Sequence, residues 1–371
     1  DSALRTPIVR RDRTGRRLRV GFVSSFFRDG TVGRYFESWI TELPRDRFES
    51  TVYHLQPGVD ALAQRLSERS DAFRHCPRFR PTRLASRIRD DAPDVLVYPE
   101  LGMDATTFAL AALRLAPLQC AAWGHPVTTG HPTIDVFFSS DPMERDDAQE
   151  HYTEKLVRLP GIGTCYRAPA LPEPMSRAAL DLPDGPLFLC PQSLFKIVPD
   201  DDALFARVLA AVSDARMLVF EGRHPALTHK YRERIGRALD AAGVSRERLL
   251  VHPQCRHDRY LAINLACDAM LDTLRWSGGN TSLDAIACRL PVVTLPGRFM
   301  RARQSAAMLS IAGVPELVAR DAAHYIEIAT RLARDREWRD ALATRLGAGQ
   351  ARVFDDGAPV EALAVWLDAN G

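Results

Sequence analysis

Residues 277–281 read SGGNT, and they combine the features needed to hold an anion without any side-chain charge. An apolar run ending in Leu271-Asp272-Thr273 precedes them, and an apolar-periodic stretch begins at Asn280. Glycines let the backbone come close to a ligand. The first N–H groups of a helix have no partner inside it, and the helix dipole adds partial positive charge there. Gly278, Gly279, Asn280 and Thr281 therefore suit an anion. The same residues also suit a plain turn, with Thr281-x-x-Asp284 as a capping box. Asp284 stays open between capping its own helix and accepting hydrogen bonds from ribose hydroxyls.

Two further loops offer matching chemistry. Residues 190–201 read CPQSLFKIVPDD, which places Lys196 between a strand and a helix opening after Pro199. An ammonium group there is a point charge suited to a phosphate that gains charge as its bond breaks. Most loop lysines merely face solvent, but this chain has only three among 49 basic residues. Gln192 and Ser193 add hydrogen-bond donors. Residues 251–262, VHPQCRHDRYLA, put His257 and Tyr260 three apart at a helix start, hence on one face. An aromatic ring there can stack on a nucleobase, or pack into its own domain.

These loops need strands that deliver them to one edge. Apolar runs at 18–23, 50–55, 94–100, 118–124 and 134–140 read as strands, with helical periodicity at 33–43, 59–69, 82–91 and 104–115 between them. Four prolines between 161 and 185 mark a linker. The rhythm then restarts, with strands in PLFLCPQ (186–192), ARMLVFEG (215–222), RLLVHPQ (248–254), AMLDT (269–273) and PVVTLPG (291–297). Helices are expected at 199–212, 225–242, 257–267, 280–288, 302–312, 322–345 and 358–369. Nearly continuous apolar strands alternating with helices mean parallel sheets covered on both faces. The expected fold is α/β, two Rossmann-like doubly wound domains facing across a cleft. Its divisions are a first domain at 1–165, a Pro-rich linker at 166–186, a second domain at 187–345 and a helical tail at 346–371. Ligands of such sheets bind beyond the carboxyl ends of the strands.

Composition narrows the partners. Hydrophobic residues are 46% and charged residues 26%, as in a globular protein with a sizeable core. A net charge of +2 gives no basic field for nucleic acid. No apolar run approaches the ~20 residues a membrane span requires, and no secretory leader is visible. Seven scattered cysteines without a CxxC pair point to a reduced, cytoplasmic protein with no zinc site. Arg10, Arg11, Arg13, Arg16 and Arg17 read as a solvated lead-in or linker.

Five stretches together carry a resemblance: LRVGFVSSFF, RLAPLQCAAWGHPVTTGHPTIDVFFSS, YTEKLVRLPG, SLFKIVPD and LDTLRWSGGNTSLDAIACRLPVVTLPG. The chain resembles the catalytic region of the O-linked N-acetylglucosaminyltransferase and SPINDLY family from residue 18 to about 345. That resemblance implies a GT-B glycosyltransferase, inverting and metal-independent, with no cofactor beyond a nucleotide-sugar substrate, UDP-linked by expectation. It implies that Lys196 contacts the diphosphate, that Gly278 to Thr281 cradle it, and that Asp284 meets the ribose. Cys255 would offer its backbone to the base, flanked by His257 and Tyr260. His125, Pro126, Thr128, Thr129 and Gly130 would line the cleft near donor and acceptor.

The departures from the family pattern are specific. Gly30, Gly279 and Tyr260 stand where the family carries histidines, and Ser193 replaces a glutamine. The family's tetratricopeptide repeats present the acceptor polypeptide, whereas this sequence shows no 34-residue self-similarity. Inverting transfer also needs a group to take the acceptor's proton. Glu100, after the strand DVLVY, and Asp29, in the first loop, are the candidates; a donor phosphate oxygen is the third. Either carboxylate also suits a structural turn. A metal-dependent DxD site is not expected, since the acids of PDDDAL (199–204) fit a helix N-terminus. His54, His75 and His151 read as structural or solvated, and Arg301 with Arg303 as surface residues that could also reach phosphate. The alternatives to a protein Ser/Thr glycosyltransferase are a domain that binds nucleotide sugar or a protein partner without turnover, and a two-Rossmann nucleotide-sugar epimerase acting on the donor alone.

Overall fold

In the computed structural model, Ile8, Asp12 and residues 14–371 are described, so Arg10, Arg11 and Arg13 lie outside the described residues. The chain forms two compact units: residues up to Arg167 with Phe354–Gly371, and Ala168–Val353.

The first unit is built on seven strands: β1 (Leu18–Ser24), β2 (Phe48–His54), β3 (Ala72–His75), β4 (Val95–Tyr98), β5 (Leu118–Ala122), β6 (Val136–Ser140) and β7 (Lys155–Leu159). They run in the order β3-β2-β1-β4-β5-β6-β7, and every pair is parallel. Helices α1 (Thr31–Thr41), α2 (Ala61–Arg69), α3 (Pro81–Asp91) and α4 (Ala105–Ala111) make the crossovers. β4 is buried along its length and β1 along all but one residue, because helices cover both faces.

The second unit repeats the plan with β8 (Leu187–Cys190), β9 (Arg216–Phe220), β10 (Leu249–His252), β11 (Ala269–Leu271) and β12 (Val292–Val293). Its helices are α5 (Pro199–Ala211), α6 (Pro225–Ala241), α7 (His257–Ala266), α8 (Asn280–Ala287), α9 (Gln304–Ala312), α10 (Ala322–Arg334) and α11 (Arg336–Gly349). The order β10-β9-β8-β11-β12 is again all parallel. Each sheet therefore starts at an inner strand, winds outward, then returns to the other side. The reversal falls between β1 and β4 in one unit and between β8 and β11 in the other. The loops leaving β8 and β11 border that point, where such sheets open a crevice.

The final helix, α12 (Ala358–Asn370), belongs to the first unit. Its Leu363, Ala364 and Leu367 are fully buried, and Trp366 meets Phe138 of β6 edge-on at 5.0 Å. Each leucine buried there stabilises that core by about 1.5–3 kcal/mol. Asp368 closes the contact with an ion pair to Arg47.

Several expectations change. β3 and β7 were not foreseen: both are edge strands, and between them only Leu159 is buried, so neither reads as an apolar run. The single helix expected at 322–345 is two, because Asp335 accepts from Trp338 N (3.0 Å) and caps a new helix. Much of the Pro-rich stretch is docked rather than loose. Arg177 bonds the carbonyl of Ala266 at 2.9 Å and Asp268 at 2.8 Å. Nor are Arg16 and Arg17 part of a solvated lead-in. Arg16 grips the buried Asp94 at 2.6 and 2.8 Å, and Arg17 pairs with Asp71 at 2.9 Å. Among the described residues, no helix is long and apolar enough to cross a membrane.

Candidate functional site

In the second unit, the loops after β8 and β11 are fastened to each other by side chains. Asp201, in the first turn of α5, accepts from Val198 N and Leu274 N, both at 2.7 Å. One carboxylate thus holds both the segment carrying Lys196 and the segment carrying Trp276. Gln192 Nε2 adds a bond to the Trp276 carbonyl at 2.9 Å, and Thr273 Oγ1 donates to the same oxygen at 2.6 Å. Ser193 donates its amide to Gln192 Oε1 and leaves its side chain exposed. The outcome is a fixed place for Lys196, whose Nζ stands 4.7 Å from the centre of the Trp276 ring. Burial lowers its pKa.

The acids at the start of α5 do more than complement a dipole. Asp202 pairs with Arg234 at 2.5 Å and Asp200 with Arg275 at 2.8 Å, while Asp201 serves the loops. Burial pushes the Asp201 carboxyl up to about 6, against the pull of the two amides it binds.

Behind the glycine loop lies a second buried acid, Asp272, directly after β11. It accepts from Gly278 N at 2.7 Å and from Thr294 Oγ1 at 2.7 Å. Burial raises its pKa to about 6, and those hydrogen bonds oppose the rise. Ser305 completes the support, donating to the Gly278 carbonyl at 3.1 Å and sharing a bond with Ser282 at 2.7 Å. The Gly278 amide, expected to face a ligand, is thus committed to Asp272. Gly278 serves the loop through its missing side chain: an added Cβ would lie 2.3 Å from Ser282 Oγ and 2.7 Å from Thr281 Oγ1. The helix-mouth amides that follow it are those of Gly279, Asn280 and Thr281.

The capping box is not formed. α8 begins at Asn280 with Gly279 as its N-cap and no side-chain cap, so Thr281 already lies inside the helix. Asp284 instead accepts from Asn280 Nδ2 at 2.8 Å, with His257 Nε2 at 3.3 Å from the same oxygen. Its other oxygen, Oδ1, is buried without a partner among the described residues, in a residue only 1% exposed. A buried carboxylate oxygen with no donor is costly, and a ligand hydroxyl is a natural partner. His257 and Tyr260 lie near-parallel, 5.9 Å apart at 26°, and Tyr260 meets Phe220 edge-on at 5.6 Å. Both rings stay half-exposed, as does Cys255 one turn before them. Arg301 adjoins the loop by accepting Ser277 N at 2.7 Å.

In the first unit, Glu100 and His125 follow β4 and β5. The turns carrying them are closely packed: Gly124 N donates to the Pro99 carbonyl at 3.0 Å, and a Cβ on Gly124 would lie 3.2 Å from Glu100 Cβ. Gly102, at φ +107, abuts the His125 ring, leaving 2.9 Å for a Cβ. Pro126 is buried beside it. Thr128 and Thr129 donate their hydroxyls to Glu154, which fixes the turn ending in Gly130. Asp29 is exposed and paired with Arg34 at 2.8 Å.

Glu100 is 1% exposed, and burial pushes its carboxyl up to about 8 against the Ser24 hydroxyl and the Ser25 amide. It therefore carries a proton at neutral pH and is no ready base. The sign of the pH dependence follows. Native pKa exceeds unfolded pKa, so the native state holds the extra proton between the two. The associated stability is complete below about 4.5 and is lost as pH rises through about 8. Glu100→Gln is expected to match the wild type in urea unfolding at pH 5 and exceed it at pH 8.5, by at most roughly 5 kcal/mol. A gap that does not widen with pH would contradict this assignment.

Among the described residues, no three His, Cys, Asp or Glu side chains converge as metal ligands. His54, His75 and the cysteines other than Cys255 are not among the site residues described above. His54 faces the Gly58 carbonyl at 2.9 Å, and all seven cysteines are free.

Residues 6–166 and 162–354 match Glycosyl transferase family 41. The chain belongs to that family. The family 41 chain is 27% identical over 326 residues to a protein of Petunia hybrida described as a probable UDP-N-acetylglucosamine--peptide N-acetylglucosaminyltransferase SPINDLY, covering 86% of this chain and 35% of the relative. It is also 27% identical over 252 residues to a UDP-glucose:protein N-beta-glucosyltransferase of Actinobacillus pleuropneumoniae, covering 66% of this chain and 39% of that protein. Among solved structures, a mutant O-GlcNAc transferase of Thermobaculum terrenum superposes with a TM-score of 0.83 at 32% identity, covering 95% of this chain and 67% of that one. The chain spans about a third of the length of the SPINDLY relatives it matches. The two doubly wound domains are the GT-B architecture.

Three residues that shape the site of this family 41 chain were not singled out from sequence: Asp201, Asp272 and Trp276. Asp272 could have been found as an acid ending an apolar strand. Trp276 could have been found as an indole two residues before a glycine pair.

Proposed function

We propose that this chain transfers a hexose, N-acetylglucosamine or a related sugar, from a UDP-linked donor to a protein hydroxyl, with inversion and without a metal. The C1–O bond to the diphosphate breaks and its electron pair goes to the diphosphate. The acceptor oxygen bonds C1 from the opposite face, and the acceptor's proton moves to a base. Lys196 and the amides opening α8 receive the new charge, preorganised by Asp201, Asp272 and Gln192. Asp284 Oδ1 takes a ribose hydroxyl, and Tyr260 with His257 flanks the base.

For the proton, an oxygen of the donor diphosphate is the acceptor that needs no protein carboxylate. Glu100 is protonated at neutral pH, and Asp29 is held by Arg34. The single observation that carries the reading is a half-buried lysine seated on Trp276, in a loop stapled to the glycine loop beside it. The names of the relatives, which specify UDP-sugars and peptide or protein, support the donor and acceptor.

A thermal-shift series tests it. UDP at about 100 times its dissociation constant stabilises a binding protein by ~2.7 kcal/mol, a clear rise in melting temperature. UDP and UDP-sugars are expected to raise it, and Asp284→Ala to diminish the rise. No shift with any uridine or guanosine diphosphate or its sugars would sink the reading. Mass spectrometry of candidate acceptor peptides after incubation with the donor then separates transfer from binding without turnover.

A further inference from the structure

Lys196 is seated by a ring instead of an acid. Its Nζ lies 4.7 Å from the Trp276 ring centre and 5.9 Å from that of Phe195. Burial lowers its proton affinity, and among the described residues no charged neighbour contributes. The two rings are not equivalent. Phe195 is 70% exposed, whereas Trp276 is half-buried, its carbonyl bound by both Gln192 and Thr273. Asp201 fixes the neighbouring Leu274 amide as well. Trp276 is therefore the anchored member of the pair.

A carboxylate partner would also hold an ammonium group, but it would oppose its charge and compete with an incoming diphosphate. An indole face attracts the cation through its quadrupole and carries no net charge. We propose that Trp276 is a positioning residue for the transfer, its indole face holding the Lys196 ammonium beside the glycine loop while leaving the positive charge unopposed. This rests on the reading that Lys196 serves the departing diphosphate.

The three lysines make the contact directly observable. Reductive methylation with ¹³C-formaldehyde gives each a separate NMR signal, and the signal absent from Lys196→Arg identifies Lys196. That signal is expected upfield of the other two through the indole ring current. It should join them in Trp276→Leu and stay upfield in Trp276→Phe. In single-turnover transfer, Trp276→Leu is expected to slow the reaction about tenfold. KM should hardly change, Trp276→Phe should recover most of the rate, and Trp276→Leu should cost nothing further in a Lys196→Ala background. Trp276→Met replaces the leucine variant if that one loses its circular dichroism spectrum.

A Lys196 signal unmoved by loss of the indole overturns the proposal. So does an equal slowing in the Lys196→Ala background, which would show a merely structural ring. Full transfer by Lys196→Ala alone sinks the functional reading instead, whatever the NMR shows about the contact.

Discussion

Lys196→Ala is expected to reduce transfer about 10²–10³-fold, the usual consequence of removing one preorganised group that receives transition-state charge. The α8 amides remain, so a residue of activity should survive. Stability should change little, within about 0.5 kcal/mol, because among the described residues the ammonium has no ion pair for the fold to lose. Lys196→Arg should recover only part of the rate, since a planar guanidinium does not fit a seat shaped for a compact ammonium. It should keep that part to higher pH: burial lowers the lysine's pKa, so wild-type activity falls as alkalinity strips the charge, whereas arginine stays protonated. Initial rates and melting curves on the three proteins check this. Transfer by Lys196→Ala within a few-fold of wild type would remove the central claim.

The largest effect on stability is expected at Asp272. Asp272→Ala leaves the Gly278 amide and the Thr294 hydroxyl buried without their acceptor. Each orphaned group costs about 1–3 kcal/mol, so a loss of about 3 kcal/mol or more is expected, together with loss of UDP binding as the glycine loop is released. Asp272→Asn is the discriminating partner. Its amide oxygen can still accept from Gly278 N, and Thr294 can turn its hydroxyl to accept from the new NH₂. That variant also removes a carboxyl whose burial pushes its pKa up to about 6, so it should be near neutral in stability at pH 7. Urea unfolding and UDP calorimetry give the comparison. An alanine variant as stable as the asparagine one would show that the loop does not depend on this acid.

The strands that bury both faces were legible because burial forces apolar residues at every position: Val95–Tyr98 and Leu187–Cys190 have no polar alternation to blur them. Ala72–His75 and Lys155–Leu159 escaped notice for the converse reason, being sheet edges with room for Arg74, His75, Lys155 and Arg158. At the site, glycines before a helix and a rare lysine were visible as residue types. Their supports were not. Asp201 looked like one of three acids at a helix start, and only the folded chain shows it reaching Leu274, 73 residues away. At Asp284 the sequence leaves capping and ligand binding open; the structure decides against capping, with Asn280 inside the helix and bonded to the carboxylate. Side-chain bonds between distant loops leave no local periodicity, so sequence patterns cannot reveal them.

The return of α12 to the first unit bears on the order in which the protein acquires structure during synthesis. Leu363, Ala364 and Leu367 finish a core whose other walls are made by residues before 168. The ribosome must therefore release the entire intervening unit before the earlier one can be sealed. Phe138 and its neighbours therefore keep an open apolar flank until α12 emerges, a departure from the simple amino-to-carboxyl succession of domain folding.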